Sequence, residues 1–308
     1  MMMVQQTRRQ FVGGTLAAGV SVLGIAAADG PRHAAWAAAA ETAGKPGAKI
    51  RLGLVTYLWG QDWDLPTLLA NCQKAKIGGV ELRVQHKHGV EPTLSAAQRA
   101  EVKKRFADSG IVFVGPGTNE AFDYVEPEKV KRAIENTKAY VKLSHDCGGS
   151  GVKVKPNDLR EKEGVPREKT IAQIGNALNE VGRFAADYGQ QIRLEVHGSA
   201  GPLPIIKQIM DVAVHPNVGV CWNCNGDELK PPGLEHHFNL VKDRFGATCH
   251  VRELNLGDYP YQDLIKLLVR MDYDGWVLLE CRTKPADRVA ALIEQREVFE
   301  RMVRQAQA

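Results

Sequence analysis

The chain has 308 residues, of which 44% are hydrophobic and 25% are charged, and its formal net charge is +4. These proportions are those of an ordinary globular enzyme. The two signs of charge are mixed along the sequence, without a block of Lys and Arg of the kind that grips nucleic acid. Nucleic acid is therefore not an expected partner.

The first forty residues have the features of an export signal. Arg8 and Arg9, in the sequence TRRQFV, are similar to a twin-arginine signature, and a weakly apolar stretch covers 11–27. Small-residue cleavage sites follow it. The alternative, an anchoring helix, is disfavoured because the stretch is short and rich in Gly and Ala. We predict a cleaved signal and linker over residues 1–40, export to the periplasm by the twin-arginine route, and no stable membrane span after cleavage.

Short apolar runs then alternate with longer amphipathic segments. The predicted strands are 51–57, 79–84, 111–115, 151–155, 191–197, 217–224, 247–254 and 275–281. The predicted helices are 65–76, 95–109, 127–147, 169–188, 204–212, 235–244, 261–271 and 286–303. Strands that are each followed by a helix favour a parallel sheet, and eight such units in this length favour closure. The sequence predicts an α/β fold, a single (β/α)₈ TIM barrel domain over residues 48–308.

An open, doubly wound sheet is the alternative arrangement of the same elements. Such a sheet normally carries a glycine-rich phosphate loop after its first strand, whereas residues 57–62 read YLWGQD. The pair Cys221 and Cys224 is half of a redox or zinc motif without a second pair. Cysteines within apolar runs are more often small buried hydrophobes.

Alternation along the strands places polar side chains inside the barrel. Neighbours on a strand face opposite sides, and the outer side must pack on helices. The inward polar residues are Glu81, Arg83, Lys153, Lys155, Arg193, Glu195, His197, Cys221, Asn223, Asn225, His250, Arg252, Glu280 and Arg282. A barrel built for structure alone would carry Val, Ile or Leu there. Because unpaired buried charge is costly, these groups must bind metal, contact a ligand or form an internal network, for example Glu81 with an arginine.

The segments RLEVH (193–197), GVCWN (219–223), CHVR (249–252) and LLE (278–280) resemble strands five to eight of the xylose isomerase-like TIM barrels. That superfamily, which has the AP endonuclease family 2 fold, includes sugar phosphate isomerases and epimerases, inosose dehydratases and an endonuclease branch. The resemblance covers most of the predicted mature chain.

The resemblance implies one divalent metal ion, held by Glu195, Asn223, His250 and Glu280. Mn²⁺ is the first expectation, and Mg²⁺, Co²⁺ and Zn²⁺ also suit such a donor set. Asn223 stands where an Asp is usual, so the site has one negative charge less and should hold its metal less tightly. The His usual three residues later is Gly226 here, and Asn225 or Asp227 are candidates to replace its contact.

In the epimerase branch the metal binds neighbouring oxygens of a keto sugar, and two glutamates move a proton through an enediolate. The resemblance thus implies an isomerase or epimerase of carbohydrate metabolism, with Glu195 and Glu280 as its catalytic acid and base. The expected partner is a small carbohydrate or keto sugar, and a homo-oligomer is left open. The candidate substrate contacts are His197, Arg252, Lys153, Lys155, His86, His88 and Trp59, with Trp63 as a second aromatic.

Two other functions suit the same barrel. Proton abstraction beside a carbonyl also begins β-elimination, so a keto-sugar lyase, a dehydratase or a 3-keto-glycoside-cleaving enzyme is one alternative. A non-catalytic sugar-binding barrel is the other, and the departures at Asn223 and Gly226 favour it. The endonuclease branch is disfavoured because its three-metal site uses many more histidines and carboxylates.

Overall fold

The computed structural model describes residues 44–308, and the predicted export signal lies outside the described residues. A closed barrel runs from β1 to β8 in order, all strands parallel, with β1 bonded to β8. The strands are β1 (Arg51–Val55), β2 (Gly79–Arg83), β3 (Val112–Ala121), β4 (Gly151–Lys155), β5 (Gln191–Glu195), β6 (Val218–Asn223), β7 (Phe245–Val251) and β8 (Trp276–Leu279). The predicted barrel is confirmed.

One α-helix follows each strand on the outside of the barrel. The helices of the described chain are α1 (Leu65–Ala75), α2 (Ala96–Ser109), α3 (Pro127–Asp146), α4 (Arg167–Asp187), α5 (Leu203–Val212), α6 (Leu234–Val241), α7 (Tyr261–Arg270) and α8 (Arg288–Ala306). Side chains fix where several of them begin. Asp64 accepts a hydrogen bond from Thr67 N at the start of α1, and Ser95 forms a capping box with Gln98 at the start of α2. These caps anchor the loops that lead from strand to helix, where the site lies.

Strand β3 is longer than the sequence predicted. The apolar run ends at Gly115, but the strand continues through Pro116 and Gly117 to Ala121. Gly115 has φ 145°, and a Cβ there would lie 2.0 Å from Gly151 O, so only glycine permits this approach of β3 to β4. The extension carries polar residues of β3 to the mouth of the barrel.

The two faces of the strands follow the predicted alternation. Outward residues such as Val152, Leu194 and Trp222 are buried in the main core between barrel and helices. Inside the barrel, a separate apolar cluster consists of Val55, Val114, Trp276 and Leu278. Beyond this cluster, toward the carboxyl ends of the strands, the interior becomes polar.

All six cysteines are free and buried, in agreement with their reading as small hydrophobes. Between residues 44 and 308, every helix is too short or too polar to cross a membrane.

Candidate metal centre

Three buried side chains meet at the carboxyl ends of β5, β7 and β8. Glu195 ends β5, His250 lies near the end of β7 and Glu280 directly follows β8. Each offers one donor atom, and these atoms all lie within 4.8 Å of one another. The residues are 1%, 0% and 7% exposed, respectively. Two carboxylates and one imidazole form a mixed donor set that suits a divalent transition ion.

Glu195 is held by partners on both sides. Lys153 Nζ donates to Glu195 Oε2 at 2.7 Å, and Asn223 Nδ2 donates to Oε1 at 2.8 Å. Burial alone would raise the pKa of Glu195, but the Lys153 ammonium and the His250 ring outweigh it and hold that pKa well below its usual range. Glu195 is therefore a fixed, ionised carboxylate.

Glu81 and Glu195 flank the imidazole of His250. Nε2 lies 3.2 Å from Glu81 Oε1, and Nδ1 lies 3.5 Å from Glu195 Oε1. Within the described residues, neither ring nitrogen makes a well-aligned hydrogen bond. With a cation bound at the centre, a proton on Nε2, facing Glu81, would leave the lone pair of Nδ1 free to face that cation. A carboxylate behind a metal-binding histidine orients the ring in this way.

Glu280 contrasts with Glu195. Its backbone N–H donates to Val251 O at 2.7 Å, which fixes the residue beside β7. Among residues 44–308, no hydrogen bond or ion pair engages its carboxylate. The centre thus has one carboxylate fully engaged by the protein and one available.

Asn223 lies beside Glu195, but its amide nitrogen is the group in contact with that carboxylate. To serve as a fourth ligand, the amide would have to turn its oxygen toward the centre. Its role as a ligand stays a prediction.

Two cations at the rim share one neutral acceptor. Arg83 Nη2 and Lys155 Nζ both donate to Asn119 Oδ1, at 3.2 and 3.1 Å. Burial, followed by the charge of Lys153, lowers the pKa of Lys155 to about 8. His197 is half-buried nearby, and its Nδ1 has no partner among residues 44–308.

Arg252 directly follows β7, and its surroundings differ from those of the metal centre. It lines a cavity of about 360 Å³ together with Asn225 and Tyr259. Its Nε is buried without a hydrogen-bond partner in the described chain. The structure therefore places His197 and Lys155 at the carboxyl ends of β5 and β4, with Lys153 beneath them as the partner of Glu195. Arg252 lines a cavity whose walls include none of Glu195, His250 and Glu280.

Two of the predicted substrate contacts have other roles. His88 Nε2 donates to Arg83 O at 2.8 Å and Nδ1 accepts from Val90 N at 3.0 Å, so both ring nitrogens hold the loop after β2. Trp59 is buried, and its Nε1 donates to Thr283 O at 3.0 Å, so its ring offers no stacking surface. These contacts give His88 and Trp59 structural roles in their loops, and their predicted contact with a sugar stays a prediction.

Of two other loop residues near the mouth, Trp63 is packed and His86 is available for a contact. Trp63 is buried under the Arg288 guanidinium, 4.6 Å from its ring. His86 is half-buried, and its Nδ1 has no partner within residues 44–308. Burial lowers its pKa, so a neutral His86 is available beside Arg83.

The candidates to replace the contact missing at Gly226 are both engaged elsewhere. Asn225 Nδ2 donates to Val196 O at 2.6 Å, and Asp227 pairs with the exposed Lys230. Their replacement of the missing contact stays a prediction.

The sequence missed two members of the site. Glu81 was placed inside the barrel by alternation, but its position behind His250 requires knowledge of how β2 and β7 face each other across the barrel. Asn119 was missed because Pro116 and Gly117 read as the end of a strand. The alternation of Thr118 with its neighbours is the one signal that could have extended β3.

Comparisons with known proteins agree with this architecture. The family model described as xylose isomerase-like TIM barrel matches residues 69–225. No curated protein matches the chain. The solved structure of an L-ribulose 3-epimerase has a TM-score of 0.71 and 16% identity, with 83% of this chain and 95% of that chain covered.

Two further structures show a similar likeness. The 3-keto-D-glucoside 4-epimerase from E. coli has a TM-score of 0.68 and 13% identity over 82% of this chain and 100% of that chain. A xylose isomerase-like TIM barrel protein from Mycobacterium smegmatis, in complex with magnesium, has a TM-score of 0.63 and 15% identity, covering 87% and 99%. At such identities the likeness shows the fold alone.

Proposed function

The chain belongs to the xylose isomerase-like TIM barrel family, and we propose that it is a sugar isomerase or epimerase that moves a proton on a carbon next to a carbonyl. The observation that carries this proposal is the meeting of Glu195, His250 and Glu280 at the mouth of the barrel. A pair of carboxylates beside one imidazole can hold a cation and transfer a proton at the same place. The similarity to two sugar epimerases supports the substrate class.

The donor set fits one divalent ion. The buried nitrogens of His250 have no well-aligned partner in the described chain, and Glu280 has an available carboxylate. The ion would be held by Glu195, His250 and Glu280, with Asn223 as the fourth candidate, and Mn²⁺ remains the first expectation ahead of Mg²⁺, Co²⁺ and Zn²⁺. When bound, the ion would polarise the substrate oxygens and acidify the C–H bond between them.

Glu195 has a buried counter-ion and Glu280 has none among the described residues, so we expect the two carboxylates to differ in how readily they accept a proton. A carboxylate that accepts a proton loses its charge, and a neutral Glu195 would leave Lys153 buried without a counter-ion. Glu280 has no such partner, so it can take the proton from the substrate at lower cost. Epimerisation also requires a proton donor on the opposite face, and Glu195 would fill that role only after taking up a proton itself, whereas isomerisation through Glu280 alone requires no second donor.

Deuterium exchange tests the proposal directly. The Mn²⁺-loaded protein is incubated in deuterated water with keto sugars and 3-keto-glycosides, and NMR follows deuterium entry at carbon. We expect exchange with the wild type and a loss of roughly a thousandfold or more in Glu280→Gln and Glu195→Gln. Glu168→Gln, an exposed position on α4 without an ion pair among the described residues, controls for the loss of one carboxylate. Near-native exchange by Glu280→Gln would contradict the assignment.

The products separate the remaining alternatives. Release of water or of an aglycone after exchange would identify a lyase, a dehydratase or a 3-keto-glycoside-cleaving enzyme that uses the same proton abstraction. Binding of sugars without any exchange would identify a non-catalytic sugar-binding barrel and overturn the proposal.

A further inference from the structure

We propose that the substrate carries an oxyanion, a carboxylate or a phosphate, and that Arg83 and Lys155 bind it at the mouth of the barrel. The proposal rests on the proposed function, because it names the substrate class of the same site. It follows from three features of the rim, which concern charge, preorganisation and position.

The first feature is positive charge without a direct ion-pair partner in the described chain. Arg83 and Lys155 meet at the neutral amide of Asn119, and among residues 44–308 no carboxylate lies within ion-pair distance of either. Lys153, one layer below, has Glu195 as its counter-ion at 2.7 Å. Two half-buried cations beside each other repel, and an oxyanion between them would offset that cost.

The second feature is that the guanidinium of Arg83 is positioned by its neighbours while some of its N–H groups have no hydrogen-bond acceptor in the described chain. Its backbone N donates to Thr56 Oγ1 at 2.9 Å, and its guanidinium lies 5.6 Å from the centroid of the Tyr57 ring. Nη2 reaches Asn119, whereas the buried Nε has no partner among the described residues. A positioned guanidinium with unpaired N–H groups is suited to bind carboxylate or phosphate oxygens.

The third feature is the distance to the candidate reaction centre. Lys155 ends β4 and Arg83 ends β2, so both stand at the same edge of the barrel as Glu195 and Glu280. Lys155 lies two residues after Lys153, whose ammonium contacts Glu195 at 2.7 Å. Arg83 lies two residues after Glu81, whose carboxylate lies 3.2 Å from His250. Both cations therefore stand one layer above the metal centre. A small sugar whose reacting carbon lies at Glu280 can therefore reach Arg83 and Lys155 with a charged substituent.

A matched set of ligands tests this proposal by binding alone. D-Fructose, D-fructuronate and D-fructose 6-phosphate share a keto-hexose skeleton and differ at carbon 6. Calorimetry on the Mn²⁺-loaded protein should give at least about tenfold tighter binding of one anionic compound than of fructose, since one charge-assisted hydrogen bond contributes that much. A preference for fructuronate identifies a sugar acid, and a preference for the phosphate identifies a sugar phosphate.

Variants connect the preference to the two cations. Lys155→Met and Arg83→Gln should each reduce the preference for the anion by roughly tenfold, and the double variant should abolish it. Lys131→Gln removes one exposed positive charge on α3 and should leave the preference unchanged. Thermal unfolding confirms that each variant is folded.

Two results would overturn the proposal. One is equal affinity for the three compounds, which includes no binding of any of them. The other is an anion preference that survives the double variant. Failure of the proposed function looks different, because the anion preference would persist while no deuterium enters any substrate and Glu280→Gln changes nothing.

Discussion

Lys153 and Arg193 are register partners on β4 and β5, both fully buried inside the barrel, yet their charges are satisfied differently. Arg193 donates to Val114 O at 3.0 Å, Ser150 Oγ at 2.6 Å and Gln191 Oε1 at 3.2 Å, all of them neutral. Lys153 instead donates to Thr118 O and to the carboxylate of Glu195. A buried cation inside a barrel can thus belong either to the framework or to the site.

The difference between the partners of Lys153 and Arg193 depends on the backbone beside them as well as on the two side chains. A Cβ at Gly151 would lie 2.9 Å from Arg193 Cζ, so glycine makes the space in which the guanidinium lies. That space is on the amino-end side, below the candidate metal centre. Lys153 Nζ instead contacts Thr118 O and Glu195 Oε2, and its charge lowers the pKa of Glu195. The partners, and not the burial of a charged residue, indicate its role.

The largest effect is expected for Lys153→Met. The variant leaves Glu195 ionised and buried, with only the Asn223 amide and the His250 ring beside it, so we expect a loss of about 4 kcal/mol in the free energy of unfolding of the metal-free protein. Urea unfolding in the presence of a chelator measures it. Glu195→Gln combined with Lys153→Met should recover much of the loss, because no buried charge then lacks a partner. If the single variant is as stable as the wild type, the ion pair does not have the importance argued above.

Arg193→Met should cost less and affect a different property. Three neutral acceptors each lose a donor at about 1 kcal/mol, so we expect a loss of about 3 kcal/mol in unfolding free energy. Mn²⁺ affinity, measured by calorimetry, should stay within about twofold of the wild type, since no candidate ligand touches Arg193. A large loss of Mn²⁺ affinity would remove the distinction between framework and site.

Glu81→Gln sharpens the distinction within the site itself. The amide oxygen can still accept from His250 Nε2, but the charge that orients and polarises the ring is lost. We expect Mn²⁺ affinity to fall by roughly 10–100-fold, as for other carboxylates behind a ligating histidine. Glu168→Gln serves again as the control. An unchanged affinity would mean that Glu81 only fills the interior of the barrel.

The sequence was sufficient to predict the fold and the three side chains that meet at the candidate metal centre, and both predictions have a physical basis. Periodicity of two within strands, and of 3.6 within helices, comes from burial on one face, so each of the eight strand–helix units had its own signal. The same alternation turned Glu195, His250 and Glu280 inward. The twin-arginine leader stays a prediction, because residues 1–43 lie outside the described structure.

What the sequence could not supply is the pairing of polar groups across the barrel. Alternation gave the same inward direction to Lys153 and Arg193, although one belongs to the site and the other to the framework. His88 and Trp59 were expected to contact the substrate because they lie in loops near the mouth. Loop residues have no periodicity from which their actual partners can be inferred. Their backbone hydrogen bonds depend on where β2 and β8 end in space. Asn119 reaches the rim because β3 approaches β4 at Gly115 and continues past Pro116 and Gly117, two residues that are typical of a strand end.

Asn223→Asp gives the smallest expected effect and separates two roles of that residue. If residue 223 ligates the ion, an added negative charge should tighten Mn²⁺ binding by roughly tenfold, because ligand charge raises affinity for a divalent cation. The same change should destabilise the metal-free protein, since a second carboxylate would then face Glu195 Oε1, which now accepts from the Asn223 amide at 2.8 Å. Calorimetry with Mn²⁺ and urea unfolding with a chelator measure the two quantities. Opposite signs identify a ligand. A loss of both stability and Mn²⁺ affinity would show that Asn223 acts only as a hydrogen-bond donor to Glu195, and would place it with Lys153 among the residues that fix the carboxylate.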